Sequence, residues 1–142
     1  MFKDPGRLPE VAELALSSAA QLVITELNAR LDRCDIEGAV DLYADDAVLV
    51  AVRGRDAIRK TIMHSAAAGA KQRACHVVSN VRAVVEEDTV TIDCTQVAYL
   101  LEGPPPYPAS IILEVHYLLK PSADGNLRIV EQQVPGYQLN YG

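Results

Sequence analysis

Ala74-Cys75-His76-Val77-Val78-Ser79-Asn80-Val81-Arg82-Ala83-Val84-Val85 is the stretch where helical spacing gives way to alternation, and its reading decides the fold. Successive side chains of a strand point to opposite faces, so His76, Val78, Asn80, Arg82 and Val84 share one parity and Cys75, Val77, Ser79, Val81, Ala83 and Val85 the other. The His76 face mixes apolar groups with an imidazole and an amide, which suits a pocket wall. A buried histidine bonded to backbone, or one at an exposed strand end, reads the same way from this stretch alone. Imidazole is the side chain best suited to proton transfer near neutral pH.

Downstream the same character continues. Strands are expected at Arg73–Val85, Thr89–Leu101, Ala109–Lys120 and Leu127–Pro135. Glu86-Glu87-Asp88 and Ser122-Ala123-Asp124-Gly125-Asn126 supply turn chemistry between them. Gly103-Pro104-Pro105-Pro106-Tyr107-Pro108 is too proline-rich to continue either flanking strand. Upstream, Leu16, Ala20, Val23, Leu27 and Leu31 recur at three- and four-residue steps, which predicts a helix over about Pro9 to Cys34. Asp35 caps a second helix, expected over Ile36–Asp45 and burying Ile36, Val40 and Tyr43. Ala47–Val52 reads as a short strand ended by Gly54. Arg55–Ala68 reads as a third helix with Ile58, Ile62 and Ala66 inward, stopped by Gly69. Three N-terminal helices followed by long antiparallel strands make an α+β fold, with the helices packed on one face of a strongly curved, mostly antiparallel sheet. Such a sheet curls into a cone whose open mouth admits a small ligand.

The chain has 142 residues, which fits one domain over 1–142 with residues 1–10 as an N-terminal arm. Hydrophobic residues at 49% and charged residues at 23% describe an ordinary globular protein. A net charge of -6 leaves no basic face to displace phosphate counterions, so a nucleic-acid partner is not expected. No apolar run approaches the ~20 residues needed to span a bilayer, and the acid- and proline-bearing start is no signal peptide. Cys34, Cys75 and Cys94 form no CxxC pair, which points to a reducing cytoplasm. GxGxxG, P-loop and HExxH motifs are missing, so no cofactor is expected.

Three motifs carry a resemblance to a known family. Asp35-Ile36-Glu37-Gly38-Ala39-Val40-Asp41-Leu42-Tyr43-Ala44-Asp45-Asp46-Ala47, Arg53-Gly54-Arg55-Asp56-Ala57-Ile58 and His76-Val77-Val78-Ser79-Asn80 resemble the SnoaL-like branch of the NTF2-like superfamily, over roughly residues 15 to 135. That resemblance implies the NTF2-like cone, a fold that serves ketosteroid isomerases, polyketide cyclases, scytalone dehydratase, dioxygenase small subunits and plain binding proteins. The isomerase's general-base position falls on Ala51 and its oxyanion tyrosine on Leu27, so that mechanism is not expected; its second oxyanion donor falls on Glu114. Scytalone dehydratase is more similar. Its first-helix aspartate falls on Asp32 and one pocket histidine on His76, while its second histidine falls near Leu100, kept as a lining candidate. Its polar strand pair falls on Glu114 and His116.

The resemblance thus implies His76 and Asp32 as catalytic residues, with Glu114, His116, Tyr43, Asn80, Gln96 and Leu100 as candidates for substrate binding. A carboxylate beside an imidazole fixes the ring's tautomer, so the ring can take a proton from carbon and return one to a leaving hydroxyl. On helical periodicity Asp32 lies off the apolar stripe, and Glu114 and His116 face water if their strand parity is reversed. Two histidines and two acids spread over three elements give no ligand spacing, so a metal is not expected. The expected function is cofactor-independent dehydration or isomerisation of a small apolar cyclic or polyketide-like metabolite. The rival reading is a non-catalytic ligand-binding protein or a structural partner resembling a dioxygenase small subunit. A homodimer is expected through the sheet face bearing Val97, Tyr99, Leu101, Val115, Tyr117 and Leu119.

Overall fold

Ala20, Ile24 and Leu27, spaced on one side of the first helix, are sealed from solvent against the sheet. The structure, a computed structural model, describes residues 6–68 and 73–136. The Gly69 stop, the inward face at Ala66 and the first five residues of the arm lie outside the described residues. The chain runs α1 (Val11–Asp32), α2 (Ile36–Val40), β1 (Tyr43–Leu49), β2 (Val52–Arg53), α3 (Arg55–Ala68), β3 (Ala74–Glu86), β4 (Thr89–Leu100), β5 (Ala109–Pro121) and β6 (Leu127–Gln133). The strands form one sheet in the order β2-β1-β6-β5-β4-β3, antiparallel throughout except for the parallel β1–β6 pair.

The four long strands and α3 match the sequence expectation to within two residues at each end. The second helix does not. It stops at Val40, and Tyr43, expected inside it, opens β1 instead. The reason is long-range: the Ile129 N–H donates to the Leu42 carbonyl at 2.9 Å, and Tyr43 pairs with Ile129. The Arg55 guanidinium then donates to the Tyr43 carbonyl at 2.7 and 3.0 Å, tying the start of α3 to that strand. Asp35 caps α2 as expected, accepting from the Gly38 N–H at 3.0 Å. Gly54 takes φ +90, the left-handed geometry that lets the chain turn from β2 into α3.

Register decides which side chains face the helices. Gln96 pairs with Leu113 and Cys94 with Val115, so even positions of β4 share a face with odd positions of β5. Val90, Ile92 and Cys94 of β4 and Val115, Tyr117 and Leu119 of β5 form the buried side with Ile129 of β6. Each such side chain stabilises the fold by roughly 1.5–3 kcal/mol through removal from water. β3 joins this face through His76 opposite Ala98 and Val78 opposite Gln96, and then its parity flips. The register shifts between Ser79 and Arg82, where Asn80 adopts φ 53, so Ala83 and Val85 rather than Arg82 and Val84 continue the inner face. Asparagine takes this left-handed conformation at less cost than a β-branched residue, although Val50 also adopts it, at φ 55. Asn80→Val is therefore expected to destabilise the protein by about 1–2 kcal/mol and Asn80→Gly to be tolerated, as measured by urea denaturation.

Candidate active site

Asp32 is the last residue of α1, and His76 lies near the start of β3, which packs against that helix. Asp32 Oδ2 accepts the backbone N–H of His76 at 3.0 Å, and its Oδ1 lies 2.5 Å from His76 Nδ1. One carboxylate thus grips both the backbone and the ring of the same residue. With Nδ1–H donated to Asp32, Nε2 is left as an acceptor, and it has no hydrogen-bond partner among the described residues. The two side chains are 28% and 21% exposed, so the pair sits at the edge of the interior with access from outside. Asp32 is off the apolar stripe of α1, as its periodicity says; at the helix terminus it reaches sideways to the sheet.

His76 borders a cavity of about 100 Å³ whose other walls are Gln96, Ala98, Ile111, Leu113, Val115, Gln132 and Val134. The two amides are held from behind. Tyr117 Oη donates to Gln96 Oε1 at 3.1 Å, Gln96 Nε2 donates to Asn28 Oδ1 at 2.5 Å, and Asn28 Nδ2 donates to the Ile24 carbonyl at 3.0 Å. Tyr43 Oη donates to Gln132 Oε1 at 2.5 Å. Burial holds both phenols well above their ordinary pKa, with a further push on Tyr117 from Tyr43 and Cys94, so both remain O–H donors. Gln96 therefore lines the cavity, whereas Tyr43 acts one layer behind it through Gln132. Asn28 and Gln132 are not singled out by the sequence, and Tyr117, expected on an outer dimer face, is instead buried behind the cavity. The signal for Gln132 was the polar run Glu131-Gln132-Gln133 within a strand that is otherwise apolar-patterned.

Four expected binding residues lie elsewhere. Glu114 and His116 face away from His76, with Asn80, Val81, Arg82, Asp93 and Thr95, around an open hollow of about 500 Å³ on the outer side of the sheet. There His116 Nδ1 bonds Asp93 Oδ1. The correction follows from register: even positions on β4 oppose odd positions on β5, so residues of equal parity on the two strands point to opposite sides. Asn80 is turned outward at the bulge. Leu100 ends β4 opposite Ala74, half-buried, and does not line the cavity. By the same rule Val115, Tyr117 and Leu119 belong to the core, leaving Val97 and Tyr99 of the expected outer set on the outer face, with Leu101 just past the end of β4. His64 is exposed on α3. Among the described residues, no group of three or more His, Cys, Asp and Glu is placed to hold a metal ion.

Cys94, at the boundary of the two faces, is buried, and desolvation followed by the nearby Asp93 charge pushes its thiol up to about 11. Cys34 is exposed. A thiolate is the reactive form, so alkylation of the native protein at mildly alkaline pH is expected to label Cys34 first and Cys94 last, followed by mass spectrometry over time.

A model of the SnoaL-like domain matches residues 12–131, most of the chain. The chain belongs to the SnoaL-like family. Solved structures agree on the fold of this SnoaL-like protein, the NTF2-like α+β cone with a curved mixed sheet. Aln2 from a Streptomyces species superposes with a TM-score of 0.78 at 16% identity, over 90% of this chain and 93% of that one. ActVI-ORFA from Streptomyces coelicolor gives 0.76 at 17% identity, over 84% and 95%. A candidate dehydratase of the NTF2-like family from Streptomyces avermitilis gives 0.70 at 16% identity, over 84% and 94%. No curated protein matches the sequence significantly. No helix among the described residues is long and apolar enough to cross a membrane.

Proposed function

We propose that this SnoaL-like protein is a cofactor-independent dehydratase or isomerase, in which His76 moves the proton and Asp32 holds the ring. The observation that carries the reading is the clamp on Nδ1, which leaves Nε2 as a proton acceptor bordering a cavity. In the dehydration, Nε2 takes a proton from carbon and the freed electron pair passes into the adjacent activating group. The imidazolium, stabilised by Asp32, returns that proton to a hydroxyl on the next carbon. The C–O bond breaks, water leaves and a double bond forms. Isomerisation uses the same first step and returns the proton to a different carbon. The family includes polyketide cyclases and dehydratases, which supports a small cyclic or polyketide-like substrate with an apolar body.

The cavity, at about 100 Å³, is smaller than the ~300–1,000 Å³ of ordinary ligand pockets, so it takes the reacting end of a substrate while the remainder lies toward the mouth. That small volume is also the observation favouring the rival reading, a non-catalytic binding protein or structural partner. Substitution of His76 separates the two. Loss of turnover with retained binding supports the enzyme, and no change in either supports the rival. The free thiols fit a reducing cytoplasm.

The outer face suits a second copy of this chain. Val77, Val81 and Ile112 are exposed there beside Arg82, Asp93 and Glu114, so the patch is apolar with charges of both signs, as an isologous contact requires. Light scattering at micromolar concentration is expected to give twice the chain mass, and a monomer mass counts against this interface.

A further inference from the structure

We infer that the carboxamides of Gln96 and Gln132 clamp a carbonyl oxygen through their free N–H groups, so that the ligand of the His76 cavity is an enolisable carbonyl compound held through that oxygen. An amide side chain offers either a C=O or an NH₂ to its surroundings, and its hydrogen-bond network decides which. Here the network favours the NH₂, because each buried tyrosine O–H needs the amide oxygen as its acceptor. Tyr43 and Tyr117 are buried phenols whose O–H groups donate to Gln132 Oε1 and Gln96 Oε1. Both amide oxygens are therefore engaged by the tyrosines behind the cavity, and the amide N–H groups are left as its free donors.

On the nitrogen side, one N–H of Gln96 is taken by Asn28 Oδ1, and Asn28 is fixed in turn because its own NH₂ is engaged by the Ile24 carbonyl. The second N–H of Gln96 and both of Gln132 have no acceptor among the described residues. The remaining walls, Ala98, Ile111, Leu113, Val115 and Val134, are apolar. Among the lining side chains, the groups left without a partner are thus amide N–H donors and one acceptor, the Nε2 of His76. Neutral donors in an apolar enclosure bind a neutral carbonyl oxygen and hold it more strongly as it becomes an enolate oxygen, the point at which stabilisation accelerates reaction. Tyr43, Tyr117 and Asn28 are positioning residues in this arrangement, and the glutamines are the groups that touch the ligand.

The inference rests on the reading of His76 as the proton acceptor for its choice of ligand, but binding tests it separately. Acetohydroxamic acid is small enough for the cavity and mimics an enol: its carbonyl accepts from the amides and its N–OH donates to His76 Nε2. In ¹⁵N-labelled protein, the side-chain NH₂ signals of Gln96 and Gln132 are expected to shift saturably together with the His76 ring signals. Gln132→Glu keeps an oxygen for Tyr43 and so keeps the fold, but replaces the NH₂ with an acceptor; it is expected to weaken binding on the order of tenfold or more. Shifts at His76 without shifts at the glutamines overturn the clamp and leave the proton-transfer reading standing. Unchanged affinity in Gln132→Glu, or no shifts at all, also overturns it. Shifts at the glutamines in a protein whose turnover ignores His76 uphold the clamp and sink the proposed chemistry instead.

Discussion

His76→Ala is expected to lower turnover by about 10² to 10⁴, the usual loss when a general acid–base group is removed. The effect is on reaction and not on binding, because the apolar walls and the amides remain. Folding should survive, since the ring is 28% exposed and its removal opens no closed hole in the core. His64→Ala, exposed on α3, is the control and should leave turnover unchanged. Steady-state kinetics with a thermal melt on each variant separates the outcomes. A large loss in both variants, or in neither, contradicts the assignment.

Asp32→Asn is expected to produce a loss of similar size, about 10² to 10⁴, for a different reason. The native carboxylate accepts two N–H bonds, from the His76 backbone and from Nδ1. An amide has one oxygen. If that oxygen stays with the ring, an N–H opposes the backbone N–H of His76, at a cost of about 1–3 kcal/mol in stability. If it stays with the backbone, an N–H faces Nδ1, and the ring must carry its proton on Nε2. Nε2 then donates where it needs to accept. The ¹⁵N shifts of the His76 ring distinguish the two, and either one lowers turnover relative to the wild type.

The ends of β3 to β6 and α3 are legible because they are set locally, by alternation, by Gly54 and by turn residues such as Ser122 to Asn126, whereas the strand expected over Ala47–Val52 is instead β1 over Tyr43–Leu49 and a separate β2 at Val52–Arg53. The His76–Asp32 approach was legible only through the family resemblance. Periodicity placed Asp32 off the stripe, and nothing in the spacing of residues 32 and 76 says that α1 ends beside β3. The outward facing of Glu114 and His116 is legible in the alternation of β5 itself, which puts the apolar Leu113, Val115, Tyr117 and Leu119 on the other, buried side; the family resemblance pointed the other way. The bulge at Asn80 is not legible, because a single left-handed residue reverses parity within one strand and leaves the alternation of hydrophobicity almost unchanged. Tyr43 was read as helical because Asp35 to Asp45 has helical character, and the parallel pairing with β6 overrode it. Gln132 has only a weak signal in the sequence, because a polar residue on a strand is ordinarily a solvated one and its partner Tyr43, which gives it an inward role, is distant in sequence.

Proton abstraction from carbon by Nε2 of His76, held by Asp32, is open to direct measurement. Diacetone alcohol is a small β-hydroxy ketone whose α-protons exchange measurably by ¹H NMR in deuterated buffer, without knowledge of the natural substrate. Wild-type protein is expected to accelerate that exchange above the buffer rate, while His76→Ala falls to the buffer rate and His64→Ala matches wild type. Equal acceleration by wild type and His76→Ala would contradict the proton-transfer role of His76.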